Sequence, residues 1–589
     1  MEYIDGKDLY QMFNYGTVNI LQKRKVLNDI NVFPVPDNDT GNNLASTMQA
    51  ISQKAKQEDH FHLTLESISE SAMYGARGNS GVIFAQFVNG LVTASTGKAR
   101  VTIQEFANMV NQSVKYIYSS LSNPVEGTMI TVIREWAQSL ISSIKKNILT
   151  IKLVFEQAFK IAKLSLERTK ETLLILKKHN VVDSGAMGFV LFLKGINSYY
   201  NNEAIEAVNY EEVVIDHTDT HDENISFRYC TEGLVKAKGN LNESDLRKAL
   251  DSYGDSLIIA KGLNIFRIHI HTDTPELVFS ELRNHGKIIT QKVDNMIQDI
   301  ALNNSTSKTV VVTDSISDLD IDFINKHNIV VVPINVKVDG IEYFDKLTIN
   351  NEILFDLIPK ISEYPTTSTP SVKYVHDLYD RLLEHFDEML VLTVSGNLSA
   401  THIMLAEQAK KAIKPGKKIR VIDTLNNSVT EGLLVKKAVD LLEQGKSFDE
   451  VADYIEEQKK KTKILVCLKT FKYAMMSGRL PKVVGKIGNF LGMRPIMSLD
   501  SSGKGAAFGI GFSKKAITKK ITKLIRKEMA SGGIDSYSLV HCLNSELANE
   551  YSELFTEIIG KGPEYTADVS SATAIHSGVG TVAIGYIRK

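Results

Sequence analysis

The residues best suited to chemistry stand in "NVFPVPDNDTGNNL" (31–44), which holds two of the 12 prolines of the 589-residue chain and two aspartates. Asp37 and Asp39 are two apart in a loop that runs into a helix expected to begin near Asn42. Neighbouring hard oxygen ligands suit Mg²⁺, and the free N–H groups of a helix N-terminus suit phosphate oxygens. The same pattern fits a plain cap, since Asp or Thr ahead of a helix satisfies its first N–H groups. Pro34 and Pro36 fix φ on either side of Val35 and so aim the two carboxylates.

A second group lies in "IFRIHIHT" (265–272). The strand period of two puts Phe266, Ile268 and Ile270 on one face and Arg267, His269 and His271 on the other. Cys230 falls in the first strand of the same βαββαβ unit, and in that fold strands one and three are neighbours. A Cys and two His with an open fourth position fit zinc, although an HxH pair also arises by accident on an exposed strand.

Elements of three kinds must position these residues. Residues 1–200 carry helical spacing, with helices expected at 64–75, 82–96, 103–121, 129–146, 153–178 and 186–200. The acidic run "DHTDTHDENIS" (216–226) marks a boundary, and the βαββαβ order follows from about 226. After a polar linker (302–309), buried-type strands such as "TVVVTDS", "IVVVPINVKV", "MLVLTVSG", "KIRVIDT" and "SYSLVHCLN" alternate with amphipathic segments, giving an α/β unit long enough for two lobes. The expected domains are 1–205, 222–300 and 308–589.

Charge narrows the partners. Lys plus Arg is 68 against 69 for Asp plus Glu, so no global positive field draws the chain to nucleic acid. The three cysteines form no disulfide framework, which points to a reducing compartment and the cytoplasm. No apolar run is long enough to span a bilayer, so lipid would be handled from water, with at most peripheral membrane contact.

The loop at 31–44, with "GARGNSGVI" (75–83), "NPVEGTMITVIRE" (123–135) and "VVDSGAMG" (181–188), resembles the dihydroxyacetone-kinase nucleotide-binding subunit in the variant form of the fatty acid kinase catalytic subunit. That resemblance implies an eight-helix barrel whose mouth holds ATP and two Mg²⁺, with Asp37 and Asp39 as metal ligands and Asn31 near a third. Thr40, Asn42, Asn43, Ser80, Gly81, Thr128 and Met129 would surround the phosphates and nucleotide. Asp183 would close over the nucleotide or cap its helix, and Arg134 would reach a phosphate or form an ordinary ion pair. Asn38 stands where the family has Gly, and Asn42 where it has Thr; Asn tolerates the left-handed conformation better than most side chains. The middle region is similar to the middle domain of the fatty acid kinase catalytic subunit, in which a Cys and an HxH pair bind zinc.

"VVTDSISDL" (311–319), "YPTTSTPS" (364–371), "LTVSGNLSATH" (392–402), "MSGRL" (476–480) and "AIHSGVGTVAIGY" (574–586) resemble the motif set of the DegV family, two-lobed α/β proteins that enclose a long-chain fatty acid. Thr367, Ser368, Ser395, Ser399 and His576 match the family's hydroxyl and histidine positions, and Arg479 its arginine near the pocket entrance. Ala400 and Val579 depart from the usual Gly and Pro. A carboxylate on an apolar tail needs a few such donors at the mouth of a dry tunnel. Together the resemblances imply a fatty acid kinase that makes acyl phosphate for a downstream acyltransferase in phospholipid synthesis, and a homodimer would pair the kinase of one chain with the carrier of the other. A kinase for a small hydroxy-ketone and a lipid-delivery protein regulated by nucleotide are the alternatives.

Overall fold

The computed structural model describes residues 2–34, 36, 38–121, 123–146, 150–204, 226–239, 241–262, 264–480 and 492–589. The acidic boundary at 216–226 lies almost wholly outside the described residues. The chain divides into two compact units, Met1–Ile300 and Ala301–Lys589.

In the first unit eight long helices are described: Gly6–Gln22, Thr40–Lys54, Phe61–Gly75, Gly78–Ser95, Ile103–Ser120, Met129–Lys145, Ile151–Thr172 and Ser184–Tyr200. Each packs on the next in that order, and the last returns to the first. Capping boxes at Asp5/Asp8 and Thr102/Glu105 fix two of the starts. The rings of Phe13, Phe84, Phe87, Trp136, Phe189 and Phe192 meet edge to face inside, with centroids 5.0 Å apart for Phe13–Phe192 and for Phe84–Phe192. Each buried ring of this kind contributes about 1.5–3 kcal/mol. Two expectations change here. The segment 153–178 is two helices, because Leu173 is extended (φ −106°, ψ 127°) between Ile151–Thr172 and Leu174–His179. The loop helix begins at Thr40, two residues before Asn42.

The middle region is an antiparallel sheet of four strands, β1 (Tyr229–Ala237), β2 (Gly254–Lys261), β3 (Ile265–Thr272) and β4 (Gly286–Asn295), in the ferredoxin-like order β2-β3-β1-β4. Helices Glu243–Leu250 and Pro275–His285 cover its apolar face. There Gly233 lets helix Pro275–His285 sit close: a Cβ on it would lie 3.1 Å from Leu282 and 3.3 Å from Phe279. The other face meets the helical ring, where Gln86 Nε2 donates to Ile259 O (2.7 Å) and Asn89 donates to Lys261 O, and Arg247 of helix Glu243–Leu250 adds a bond from Nη2 to Ser120 O (2.7 Å).

The second unit contains a parallel four-stranded sheet, built from Thr309–Asp314, Val330–Val332, Glu388–Thr393 and Lys418–Asp423. A mixed six-stranded sheet and a small antiparallel three-stranded one complete its strands. Helix Val429–Glu443 packs against both larger sheets, joining Leu390 and Leu392 of one to Ile464, Val540 and Ala583 of the other in a common core. The run "IVVVPINVKV" is two strands in different sheets, with Pro333 and Ile334 between Val330–Val332 and Asn335–Val338. Among the described residues no helix is long and apolar enough to cross a membrane.

Candidate functional site

At one end of the helical ring the N-termini of four long helices come together, beginning at Thr40, Gly78, Met129 and Ser184. Contacts hold them there. A Cβ on Gly78 (φ +56°) would lie 2.1 Å from Asn43 Nδ2, and one on Gly185 would lie 3.0 Å from Ser80 Oγ and 3.4 Å from Met129 Cε. Each N-terminus carries the positive end of a helix dipole and N–H groups that have no partner within the helix, so the cluster suits a polyanion. Thr40, Asn43, Ser80, Gly81 and Met129 are therefore gathered, with Thr128 as the N-cap of Met129–Lys145.

The loop brings its own polar set. Thr40 Oγ1 donates to Asn31 Oδ1 (2.9 Å), and Asn28 Oδ1 accepts from Asn42 N (3.1 Å). Asn38 does occupy the left-handed region, at φ +55°. Asp39 stands at the N-cap position, yet its side chain makes no hydrogen bond to the helix that follows. Its carboxylate is thus not used as a cap. Asp37 lies outside the described residues.

Two further residues fall differently from the reading as phosphate contacts. Asp183 caps its helix: it accepts from Ala186 N (2.7 Å) and from Met129 N, and burial pushes its carboxyl up to about 7. The Arg134 guanidinium is taken up by Glu126 (2.5 Å) and the Tyr118 hydroxyl (3.1 Å), half-exposed on the helix surface. The ordinary ion pair is what the structure holds.

Against this end lies the polar face of the middle sheet. Register pairs Cys230 with His271 and Glu232 with His269, so β1 and β3 point these four side chains the same way. The ligand atoms of Cys230, His269 and His271 all lie within 4.8 Å of one another, and all three residues are buried. This donor set, soft thiol plus two imidazoles at that spacing, fits zinc with one position left open. Among the described residues buried His269 Nε2 has no hydrogen-bond partner, while its Nδ1 lies 3.4 Å from Glu232 Oε1 and 3.8 Å from Cys230 Sγ. Burial pushes the Cys230 thiol well up, helped by the Glu232 charge, and burial with His269 holds His271 down to about 3.

Glu232 ties the two halves together and was not singled out from the sequence. Fully buried, it accepts from Arg267 Nη2 (2.7 Å) and from the Gly78 backbone N–H, and Arg77 lies 3.8 Å away. Burial opposes its charge, yet Arg267, His269 and Lys292 hold its carboxyl well below the usual range. On β4, Lys292 pairs in register with Glu232 and Asp294 with Cys230, and the two form an ion pair. Asp39 acts electrostatically on both Lys292 and Cys230. The strand period alone marks Glu232 as sharing Cys230's face. Lys292 and Asp294 needed the sheet order.

In the second unit Tyr364 Oη donates to Ile575 O (2.6 Å), tying the segment ahead of Thr367 and Ser368 to the helix Ser571–Ser577 that carries His576. Burial together with the Arg479 charge holds the His576 imidazole down to about 4, and among the described residues its buried Nδ1 has no partner. Ser395 and Ser399 share another loop, where Ser395 N donates to Asn426 O (2.7 Å) and Ser399 Oγ meets Thr401 Oγ1 at 2.8 Å. Gly578, beside His576, has φ +80° and packs on the Tyr473 ring.

Three family models match the chain in succession: the DAK2 domain (34–198), the FakA-like middle domain of fatty acid kinase (226–301) and the DegV family of uncharacterised proteins (308–589). An uncharacterized protein of Staphylococcus epidermidis is 31% identical over 345 residues, 54% of this chain and 62% of its own length. Another, of Staphylococcus saprophyticus, is 32% identical over 308 residues, 50% of this chain and 55% of its own. The chain thus spans little more than half the length of these relatives. Among solved structures, a fatty acid binding DegV family protein from Thermus thermophilus aligns with TM-score 0.44 and 25% identity, covering 48% of this chain and all of that one. A DegV lipid binding protein from Thermotoga maritima aligns at 0.42 and 26%, with the same coverage. In one polypeptide, then, this chain joins a DAK2 domain, a FakA-like middle domain of the fatty acid kinase type and a DegV-family domain.

Proposed function

We propose that the protein is an ATP-dependent fatty acid kinase, with nucleotide bound at the closed ring of helices and the acid held by the DegV-family domain. The observation that carries this reading is the FakA-like middle domain, whose Cys230, His269 and His271 stand beside the Asp39 loop. Asn31, Asp37 and Asp39 would hold Mg²⁺, which when bound neutralises phosphate charge and aligns the γ-phosphoryl group. Thr40, Asn42, Asn43, Ser80, Gly81 and Thr128, with the four helix N-termini, orient the triphosphate. Cys230, His269 and His271 would hold zinc, whose open position would take an anionic oxygen.

The acid's carboxylate would be bound by Thr367, Ser368, Ser395, Ser399 and His576, with Arg479 at the entrance. An imidazole held down to about 4 is neutral at physiological pH and can donate one hydrogen bond to that carboxylate. The acceptor is already ionised, so no base is required. Positioning and charge neutralisation are then the whole task. The product, an acyl phosphate, is an activated acyl donor and would be consumed by an acyltransferase.

The test is Asp37→Ala and Asp39→Ala in the full chain, incubated with ATP, Mg²⁺ and a long-chain fatty acid, with acyl phosphate trapped by hydroxylamine. Product from the wild type and none from either variant is expected. Undiminished product from both variants would refute the kinase reading.

A further inference from the structure

A phosphoryl transfer between two anions raises a problem that the reaction on a hydroxyl group does not. The acceptor carboxylate and the γ-phosphoryl oxygens repel each other as they approach, so a cation between them lowers the barrier more in the transition state than before it. The polar face of the middle sheet carries two cations beside Glu232, and they are not equivalent. Arg267 has no exposed surface and is bound to Glu232 at 2.7 Å, with Thr290 Oγ1 at 3.3 Å. Its charge is occupied within the sheet.

Lys292 differs. Its side chain retains 30% exposure, it lies on the outer strand β4 opposite Glu232, and its ion-pair partner Asp294 lies opposite Cys230. The charges that act on it come from both sides of the junction: Asp294, Glu232 and Cys230 from the sheet, Asp39 from the phosphate loop. It therefore lies beside Glu232, which accepts from the Gly78 N–H at the end of the ring where the four helix N-termini meet.

We propose that Lys292 is a catalytic residue whose ammonium bridges the acceptor carboxylate and the γ-phosphoryl oxygens during transfer. One carboxylate oxygen forms the new bond to the γ-phosphorus while the bond from that phosphorus to the β,γ-bridging oxygen breaks, and ADP leaves with the electron pair. No proton moves, and Lys292 stays protonated throughout. Asp294 holds the side chain in place before substrate arrives. The inference rests on the kinase reading above.

Lys292→Met and Lys292→Arg in the full chain, assayed with ATP, Mg²⁺ and fatty acid, test it. Lys292→Met should lower kcat by about 10²–10³-fold while nucleotide affinity and bound zinc per chain stay at wild-type values. Lys292→Arg should restore at least about a tenth of the lost turnover, since a cation is kept and only its geometry changes. Wild-type turnover kept within about threefold by Lys292→Met overturns the lysine's role but leaves the kinase reading standing. So does loss of zinc in step with turnover, which would make Lys292 a support for the sheet. Absence of acyl phosphate from the wild-type chain overturns both.

Discussion

Glu232 is where a single side chain has most to do. It accepts from Arg267 and from the Gly78 N–H, and it faces His269 behind the Cys/His group. Replacing it with Ala leaves the Arg267 guanidinium buried without its carboxylate, at a cost of about 3–5 kcal/mol in urea unfolding. Loss of such a support typically weakens metal binding about 10–100-fold, which competition with a chelator would read. Arg134 makes the opposite case. Its partner Glu126 is 45% exposed, so Arg134→Ala should cost about 0–1 kcal/mol and leave nucleotide affinity unchanged in a titration. The sequence marks both Arg134 and Glu232 as charged residues in patterned segments. Only their surroundings distinguish a surface ion pair from a buried hub.

At the scale of elements, the start of helix Gly78–Ser95 joins ring and sheet. Gly78 needs its left-handed φ of +56°, and any Cβ there meets Asn43. Gly78→Ala should destabilise the first unit by about 1–2 kcal/mol from the backbone alone, and nucleotide affinity should fall with it because Asn43 is displaced. In the second unit a different junction titrates. Asp314, Asp318, Asp345 and Glu431 are all buried around the end of strand Thr309–Asp314, with Lys346 2.9 Å from Asp318. Burial pushes Asp314 up to about 7 and Asp345 to about 6, and it raises Asp318 and Glu431 as well. A carboxyl whose pKa is raised on folding binds its proton more tightly in the folded state. Its contribution is complete below the ordinary value of about 3.9 and is lost as pH rises through the folded one. His576 runs the other way, stabilising above about 6.5 and losing that as pH falls toward its own lowered value. Thermal unfolding of Asp314→Asn should therefore gain on the wild type between about pH 4 and about pH 7, and His576→Gln should gain toward lower pH. A difference that does not change with pH would count against these assignments. Hydrophobic patterning exposes strands such as Thr309–Asp314 in the sequence, but not the gathering of four acids from three distant segments.

For the whole molecule, the proposed function puts carriage of an acid and its activation in one chain. Extraction of the purified protein with organic solvent, followed by mass spectrometry, should yield one long-chain fatty acid per chain. A covalent link holds the acceptor at an effective concentration in about the millimolar range. Turnover per chain with preloaded acid should then stay constant as the protein is diluted from micromolar to nanomolar, and a fall in proportion to concentration would show that separate chains must meet.

Local interactions write themselves into the sequence. Helix periods, the βαββαβ order and the HxH face are all set by neighbours within a turn or a strand pair. Even Asn38 in its left-handed conformation could be anticipated from its own preferences. What only the tertiary structure decided are the long-range pairings: Asp183 as a cap, Arg134 as a surface ion pair, and Glu232 beneath His269 and against Gly78. The same holds for Lys292, which β4 brings alongside Glu232 on β1 although the two are far apart in sequence. The reason is physical: a side chain's charge, donors and neighbours depend on burial and on what another segment places within a few ångströms, and no local period encodes that.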